Sequence, residues 1–402
     1  MQRRVVITSY GVVSSLGSSE SDIIASFRTG RTTFTGSQIY PGLPVCPVEG
    51  FSARAHTGPC KELRYLHRGA QLSVSAALDA IRGSGLGKTD MAKAGLFVGV
   101  GPNLDFTAEF PEIREGSLDI PGLQALWILK YLPNTAASLI SRLAGIKGEN
   151  LTVGTACAAA LQAVGEAFSR IKAGRLDLAL AGGGNSNLNP GGLLAYKKAS
   201  ALYCGEKAPE CAMRPFDSER GGFVTGEGGG FFVLEELEHA RSRGAKIYAE
   251  ICGYGCSLDA CSMTAPAPDG ESGRAAVLMA LGEAGIAGEE IGLISSHGTS
   301  TVLNDEAERL IIESVQGRGR PPVIALKSWI GHCSAACGAV ELALALILMK
   351  NSLLPPIRNL EEPCSAEIYF VRQPTAHEFS SMLIENFGFG GQNCALVLRR
   401  PS

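Results

Sequence analysis

A cysteine and two histidines occupy turns that follow predicted strands in this chain. Cys157 is flanked almost entirely by small residues and precedes a predicted helix, so a substrate can approach its sulfur closely. The positive end of that helix is expected to lower the pKa of the thiol and to present free backbone N–H groups to an oxyanion. A buried structural cysteine in an alanine-rich helix is the alternative interpretation.

His297 ends an apolar strand and begins a polar turn, and His332 follows a glycine in a second turn. Because α/β proteins bind their ligands beyond the carboxyl ends of strands, this placement favours a functional role. Hydrogen-bonded structural histidines are compatible with the same pattern.

Lys327 comes directly after the apolar strand 323–326. It is either the solvated end of that strand or a buried cation that requires a partner. Glu308, on the helix predicted after His297, is the carboxylate that we expect to compensate it.

The segment 386–393 places three glycines around Phe387 and Phe389. Such a turn lets the backbone approach a substrate while the rings cover it, although a glycine-rich hairpin with core aromatics fits equally well. Together, a thiol, two imidazoles, a cation and this turn suit acyl-thioester chemistry. In that chemistry the sulfur carries the acyl group, and donors stabilise an enolate.

Short β-branched runs alternate with longer Ala/Leu-rich stretches, which predicts α/β layers around a mainly parallel, buried sheet. The segments 155–161 and 331–338 are similar turns that each open a helix after a strand. This weak repeat predicts two similar halves, which we place at residues 1–245 and 246–402.

The 402 residues are 45% hydrophobic and 19% charged, which excludes intrinsic disorder. A net charge of −3 gives no attraction to nucleic acid. No apolar run reaches the length of a membrane helix and no export signal is evident, so we expect a cytoplasmic protein that does not bind membranes, with reduced cysteines. The glycine clusters lack the spacing of nucleotide-binding loops, and the cysteine spacing is atypical of zinc sites, so no cofactor or metal is predicted.

Five motifs give the chain a recognisable resemblance. In order they are Thr155-Ala156-Cys157-Ala158, Arg214-Pro215-Phe216-Asp217 with Gly222-Phe223-Val224-x-Gly226-Glu227-Gly228, His297-Gly298-Thr299-Ser300-Thr301-x-x-Asn304-Asp305, Lys327-Ser328-x-x-Gly331-His332 and Phe387-Gly388-Phe389-Gly390-Gly391. With these motifs the chain resembles the elongating β-ketoacyl-acyl carrier protein synthases of the thiolase superfamily over nearly its whole length.

The resemblance implies a thiolase-like, five-layered α-β-α-β-α fold and an acyltransferase that performs a decarboxylating Claisen condensation in fatty-acid synthesis. Cys157 would be the acylated nucleophile, and its backbone N–H and that of Phe389 would form the oxyanion hole. His297 and His332 would bind the extender thioester and promote decarboxylation. Lys327, paired with Glu308, would set the local electrostatics.

Further positions follow from the same resemblance. Phe389 would gate the acyl pocket, and the substrate-binding residues would be Thr299, Thr301, Phe387 and Phe389. Segment 102–121, with Leu104, Phe106 and Phe110, has no family match and is expected to shape the acyl pocket. Ser295-Ser296 and Glu385-Asn386 depart from the pattern at places that help to hold a structural cation in relatives, so none is predicted.

The expected partners are an acidic acyl carrier protein with its acyl and malonyl thioesters, and a second subunit. A basic docking patch is predicted from six side chains, with ordinary solvated charge as the alternative. They are Lys61, Arg64, Arg68, Lys197, Lys198 and Lys207. Strand 150–153 is expected to pair across a twofold axis in a homodimer, or in a heterodimer with a close paralogue.

Several alternatives stay open. A ketosynthase of a polyketide or polyene pathway would use the same chemistry. A thiolase would need a second cysteine as base, for which Cys394 is the candidate, and a starter-condensing synthase would carry Asn at the position of His332. A non-catalytic subunit that shapes a partner's pocket usually lacks the nucleophile, so Cys157 argues against it.

Overall fold

The computed structural model describes residues 3–105, 120–121 and 123–401. Its strands, in chain order, are β1 (Val5–Val13), β2 (Thr35–Gly36), β3 (Pro44–Cys46), β4 (Gly95–Gly99), β5 (Asn150–Val153), β6 (Leu178–Ser186), β7 (Thr225–Glu236), β8 (Ala249–Leu258), β9 (Ile294–Ser295), β10 (Val323–Ile324), β11 (Leu353–Leu354), β12 (Thr375–Ala376), β13 (Ser381–Gly388) and β14 (Gln392–Arg399).

The helices, in chain order, are α1 (Glu20–Thr29), α2 (Ala53–Thr57), α3 (Arg68–Ser84), α4 (Lys88–Met91), α5 (Thr135–Ala144), α6 (Ala159–Lys172), α7 (Pro190–Lys198), α8 (Pro209–Ala212), α9 (Leu237–Ser242), α10 (Glu271–Ala284), α11 (Val302–Val315), α12 (Lys327–Ile330) and α13 (Cys337–Asn351). Helix α1 shows ordinary capping chemistry: the Ser19 hydroxyl accepts the Asp22 N–H at its start, and Gly30 ends it in the left-handed conformation.

The main sheet has the strand order β10-β9-β13-β14-β8-β1-β7-β6-β4-β5. Five strands of this order come before residue 245 (β1, β4, β5, β6, β7) and five come after it (β8, β9, β10, β13, β14). Counted along the chain, each five have the same order in the sheet, third-second-fourth-fifth-first. The two similar halves predicted from the sequence are therefore confirmed. The boundary at 245/246 lies between α9 and β8, and its status as a domain boundary stays a prediction.

The sheet is mixed, so the expectation of a mainly parallel sheet is wrong. In each half, three neighbouring strands pair in parallel, and two more strands are added through antiparallel pairs. In the second half, β13 and β14 are joined by a short glycine turn, and such a hairpin makes the pair antiparallel.

Five layers result from the packing. Helices α6 and α13 lie at the centre and contact strands of both halves and each other, while α3 and α5 cover one outer face and α10 and α11 the other. Segment Ser334–Asn351 is apolar and long enough to cross a membrane, but 89% of it is buried inside the protein. It is the central core helix with the turn that precedes it.

The two predicted repeat segments occupy equivalent places. Ala156 (φ 47°) opens a 3₁₀ turn before α6, and Ser334 (φ 51°) opens the same kind of turn before α13. The position equivalent to Cys157 is therefore Ala335. His332 lies just upstream of the second turn, so the two halves contribute different chemistry to one place.

Two central strands run through clusters of glycine. β6 continues through a triple glycine to Ser186, and β7 begins at Thr225, ahead of its own triple glycine. A Cβ at Gly182 would lie 2.1 Å from the Gly230 carbonyl oxygen, and one at Gly230 would lie 2.5 Å from the Ala339 carbonyl oxygen. These glycines let the central helix pack directly on the strand and do not end it.

Candidate active site

Cys157 lies in the 3₁₀ turn between β5 and α6 and is half-buried. The backbone N–H groups of Phe389 and of Cys157 lie near its sulfur, where they favour the thiolate and lower the pKa of the thiol. Close approach of the two loops depends on Gly388, where a Cβ would lie 3.0 Å from the Cys157 backbone nitrogen. The two N–H groups predicted to form an oxyanion hole thus converge on one sulfur.

The predicted lowering of the thiol pKa is wrong. Burial raises the pKa of Cys157 to about 11, although the Lys327 ammonium and the Phe389 N–H oppose it. The small neighbours that open the sulfur to a substrate also place it among apolar walls, and desolvation there disfavours the thiolate more strongly than the nearby positive groups favour it. At neutral pH the Cys157 side chain is therefore a thiol.

His297 is held by the turn that follows β9. Glu308 accepts the backbone N–H groups of His297 and Gly298, the latter at 2.7 Å, and Asp305 accepts the Thr299 N–H at 2.9 Å. The Lys327 ammonium donates to His297 Nδ1 across 3.0 Å. Burial and that ammonium hold the pKa of His297 well below its ordinary value, so the ring is neutral. Because Nδ1 accepts, the proton resides on Nε2.

His332 has the same tautomer through a different contact. The Ser334 N–H donates to His332 Nδ1 at 2.9 Å, and burial, with Lys327 nearby, lowers the pKa of His332 to about 3. The two imidazole centroids are 5.7 Å apart with their planes at 85°. Two neutral Nε2–H donors therefore lie side by side.

The predicted partner of Lys327 is wrong. Its ammonium bonds to Glu341 Oε1 at 2.7 Å, and both side chains are fully buried. Glu308 uses its oxygens on backbone N–H groups, and burial together with Asp305 raises its pKa to about 8. The carboxylate that balances the lysine comes from the centre of α13.

A cavity of about 250 Å³ brings the predicted residues together. Cys157, both histidines and the four predicted substrate-binding residues line it, namely Thr299, Thr301, Phe387 and Phe389. Lys327 and Glu308 do not line it, and both bond to His297. Phe389 is half-buried at the cavity wall. Phe387 packs against His297, with 5.8 Å between the two ring centroids.

Some residues of the site were missed by sequence reasoning. Glu341 is a lone carboxylate in the apolar run 338–349, and such a carboxylate is the signal for a buried partner. Phe223 belongs to one of the five motifs but had no predicted role. Its ring centroid lies 4.5 Å from that of His332, and the residue lines the cavity. Of the segment expected to shape the acyl pocket, Phe106 and Phe110 lie outside the described residues.

Two of the six side chains predicted to form the basic docking patch are paired with carboxylates of this chain. Arg68 donates two 2.6 Å hydrogen bonds to Glu227, and Lys207 pairs with Glu219 at 2.7 Å. Lys61, Arg64, Lys197 and Lys198 are exposed. The last two directly precede Ala199 and Ser200, which line the cavity.

No group of three or more His, Cys, Asp or Glu side chains is placed to hold a metal ion within residues 3–105, 120–121 and 123–401. All twelve cysteines are free.

The comparisons agree with this arrangement. Residues 2–240 match the model of the β-ketoacyl synthase N-terminal domain, and residues 248–361 match that of the C-terminal domain. The chain is 33% identical to the 3-oxoacyl-[acyl-carrier-protein] synthase 2 of Vibrio cholerae serotype O1 over 99% of both chains. It is also 33% identical to a putative polyketide beta-ketoacyl synthase 1 of Streptomyces halstedii, over 100% of this chain and 99% of the relative.

Among solved structures, a β-ketoacyl synthase from Burkholderia phymatum STM815 superposes with a TM-score of 0.92 at 32% identity, with full coverage of both chains. Both domain models match in order, the relatives are similar over their full length, and the fold agrees with that of the solved structure. The chain therefore belongs to the β-ketoacyl synthase family of acyltransferases.

Proposed function

We propose that Cys157 takes an acyl group from an acyl carrier protein and condenses it with a malonyl thioester. In the first step the sulfur attacks the acyl thioester carbon, and the carrier leaves as a thiol with the proton of Cys157. In the second, the malonyl group loses CO₂, its enolate carbon attacks the acyl carbon, and Cys157 leaves as a thiolate that takes up a proton from water. The products are β-ketoacyl carrier protein, CO₂ and free enzyme.

The observation that carries this proposal is the convergence of one thiol and two neutral Nε2–H donors on one cavity. The Nε2–H groups of His297 and His332 bind the thioester oxygen of the extender and stabilise the enolate formed on decarboxylation. Neutral donors suit this role, because an imidazolium would give up its proton to the enolate and quench it.

The Phe389 and Cys157 N–H groups stabilise the oxyanion formed at the acyl carbon. Lys327 does not touch the substrate. It is a positioning residue that occupies His297 Nδ1 and thereby keeps the Nε2–H aimed at the extender. Phe389 gates access to the acyl side of Cys157, in keeping with its half-buried place beside the sulfur.

Fatty-acid synthesis is the pathway proposed first, in line with the synthase of Vibrio cholerae. The polyketide relative is equally similar, at 33% identity, and supports a ketosynthase of a polyketide pathway as the second candidate. The two differ in the acyl chain and share the condensation.

The carrier protein docks at the mouth of the cavity in this proposal, guided by the exposed cations. The chain further acts as a homodimer, or as a heterodimer with a paralogue, in the cytoplasm. Support for a dimer comes from β5, which ends the sheet and leaves one edge unpaired among the described strands. Leu151 on that strand is 36% exposed, and exposed apolar sheet edges are ordinarily covered by a partner.

Intact-protein mass spectrometry after incubation with acyl carrier proteins tests the proposal. We expect a mass increase equal to one acyl group on Cys157, and β-ketoacyl carrier protein on addition of malonyl carrier protein. A chain that never becomes acylated from any carrier would instead be a non-catalytic partner subunit.

A further inference from the structure

A second polar cluster lies next to the nucleophile but outside the cavity described above. The Asn187 amide donates to the Tyr196 hydroxyl at 2.8 Å and to the Ser334 hydroxyl at 3.3 Å, and the two hydroxyls are 2.8 Å apart. Asn187 is fully buried and Ser334 is 3% exposed. We call these three side chains the polar cluster.

The polar cluster is connected to the catalytic turns. Ser334 opens the 3₁₀ turn that packs against the turn of Cys157, and its N–H holds the His332 ring. The Tyr196 ring packs 5.2 Å from Phe223, which in turn contacts His332. Burial raises the pKa of Tyr196, and the negative charge of a Cys157 thiolate would raise it further, which places the phenol within electrostatic reach of the sulfur.

Several buried polar atoms in the polar cluster or beside the turns of Cys157 and Ser334 have no hydrogen-bond partner among the described residues. They are Asn187 Oδ1, both amide atoms of Asn185, and the Thr155 hydroxyl. Asn185 is 1% exposed, and a Cβ on Gly101 would lie 3.0 Å from its oxygen and 3.3 Å from the Ala335 side chain, so the amide sits beside the second catalytic turn. Thr155 is two residues before the nucleophile.

Unpartnered buried amides are unfavourable unless something polar meets them. A plain alkyl chain on Cys157 would leave these donors and acceptors unsatisfied, whereas a chain that carries oxygens would hydrogen-bond them. A site built to bond a substrate oxygen discriminates strongly against the analogue that lacks it.

We infer that the acyl group carried by Cys157 is an oxygenated one, with a carbonyl or hydroxyl near the thioester that bonds Asn185 and the polar cluster. This inference rests on the proposed function and specifies its substrate class. Within that function it favours the second candidate pathway, in which a ketosynthase takes substrates of the polyketide kind, over the first, in which the acyl chain is saturated. Asn187 and Tyr196 are then specificity-determining residues.

The test compares acylation rates of Cys157 from three carrier-bound thioesters of equal length: hexanoyl, 3-hydroxyhexanoyl and 3-oxohexanoyl. Intact-protein mass spectrometry follows the rates in the wild-type chain, in Asn187→Leu and in Tyr196→Phe. We expect the oxygenated chains to react about 10- to 100-fold faster than hexanoyl in the wild type. Each substitution should reduce that ratio, mainly by accelerating hexanoyl transfer.

Tyr254→Phe is the matched control, because the Tyr254 hydroxyl bonds Glu166 at 3.3 Å and lies in no part of the site. Its selectivity should equal that of the wild type. Equal rates for all three thioesters, or faster hexanoyl transfer in the wild type, would overturn the inference while leaving the condensation intact. A ratio that changes as much in Tyr254→Phe as in Tyr196→Phe would also overturn it. Absence of acylation from every thioester would count against the proposed function itself.

Discussion

Replacing His332 by alanine tests whether this ring stabilises the enolate. The reaction to follow is decarboxylation of malonyl carrier protein in a Cys157→Gln background, because that variant isolates the half-reaction in which the histidines act. Cys157→Gln by itself should abolish condensation and retain decarboxylation, since the thiol only carries the acyl chain.

The magnitude follows from the geometry of the ring. The Ser334 N–H occupies Nδ1 at 2.9 Å, so Nε2–H is the donor that faces the extender, and the ring is only 3% exposed. Removing one such preorganised donor costs about 2.7–4 kcal/mol of transition-state stabilisation, or about 10²–10³ in rate. We expect that loss in decarboxylation, while acylation of Cys157 in a His332→Ala chain stays measurable.

The pH dependence gives a second, independent readout. Burial lowers the pKa of His332 to about 3, so the ring is neutral and fully competent from about pH 5 to 9. The decarboxylation rate should therefore show no step near pH 6.5, where a solvated imidazole titrates. Unchanged turnover in His332→Ala, or a step near pH 6.5 that disappears in that variant, would refute the assignment.

Four further outcomes follow from the structure. Burial raises the pKa of Cys157 to about 11, so the rate of its alkylation by iodoacetamide should rise about tenfold per pH unit from pH 7 to 9. Peptide-resolved mass spectrometry measures this rate, and a plateau above pH 8.5 would contradict the prediction. Glu341→Gln leaves the Lys327 ammonium buried without its carboxylate and should lower the free energy of unfolding in urea by about 3–5 kcal/mol; a loss below about 1 kcal/mol would show that the pair is dispensable. Arg64→Glu should raise KM for carrier-bound substrates several-fold more than for a pantetheine thioester, and equal effects would exclude it from the docking surface. Light scattering should give about twice 42.0 kDa for the wild type and a shift towards monomer for Leu151→Arg, whereas an active wild-type monomer at micromolar concentration rules out the obligate dimer.

The chemistry of this protein could be predicted from local patterns. Small residues around Cys157, polar turns at His297 and His332, and the glycines around Phe389 are each encoded within a few neighbouring positions. Such features depend on backbone geometry near the residue, which the neighbouring sequence controls. The duplicated fold was visible for the same reason, since each repeat opens a helix with a short run of small residues.

The ion-pair partner of Lys327 and the pKa of the Cys157 thiol depend on contacts between segments that are distant in the sequence. Glu341 reaches Lys327 only because α13 lies at the centre of the fold, and Glu308 is instead drawn to backbone N–H groups. Likewise, the helix that follows Cys157 predicted a lowered thiol pKa, but burial by loops from elsewhere in the chain reverses its direction. Desolvation and ion pairing are set by everything that surrounds a group in space, and no local stretch of sequence encodes that surrounding.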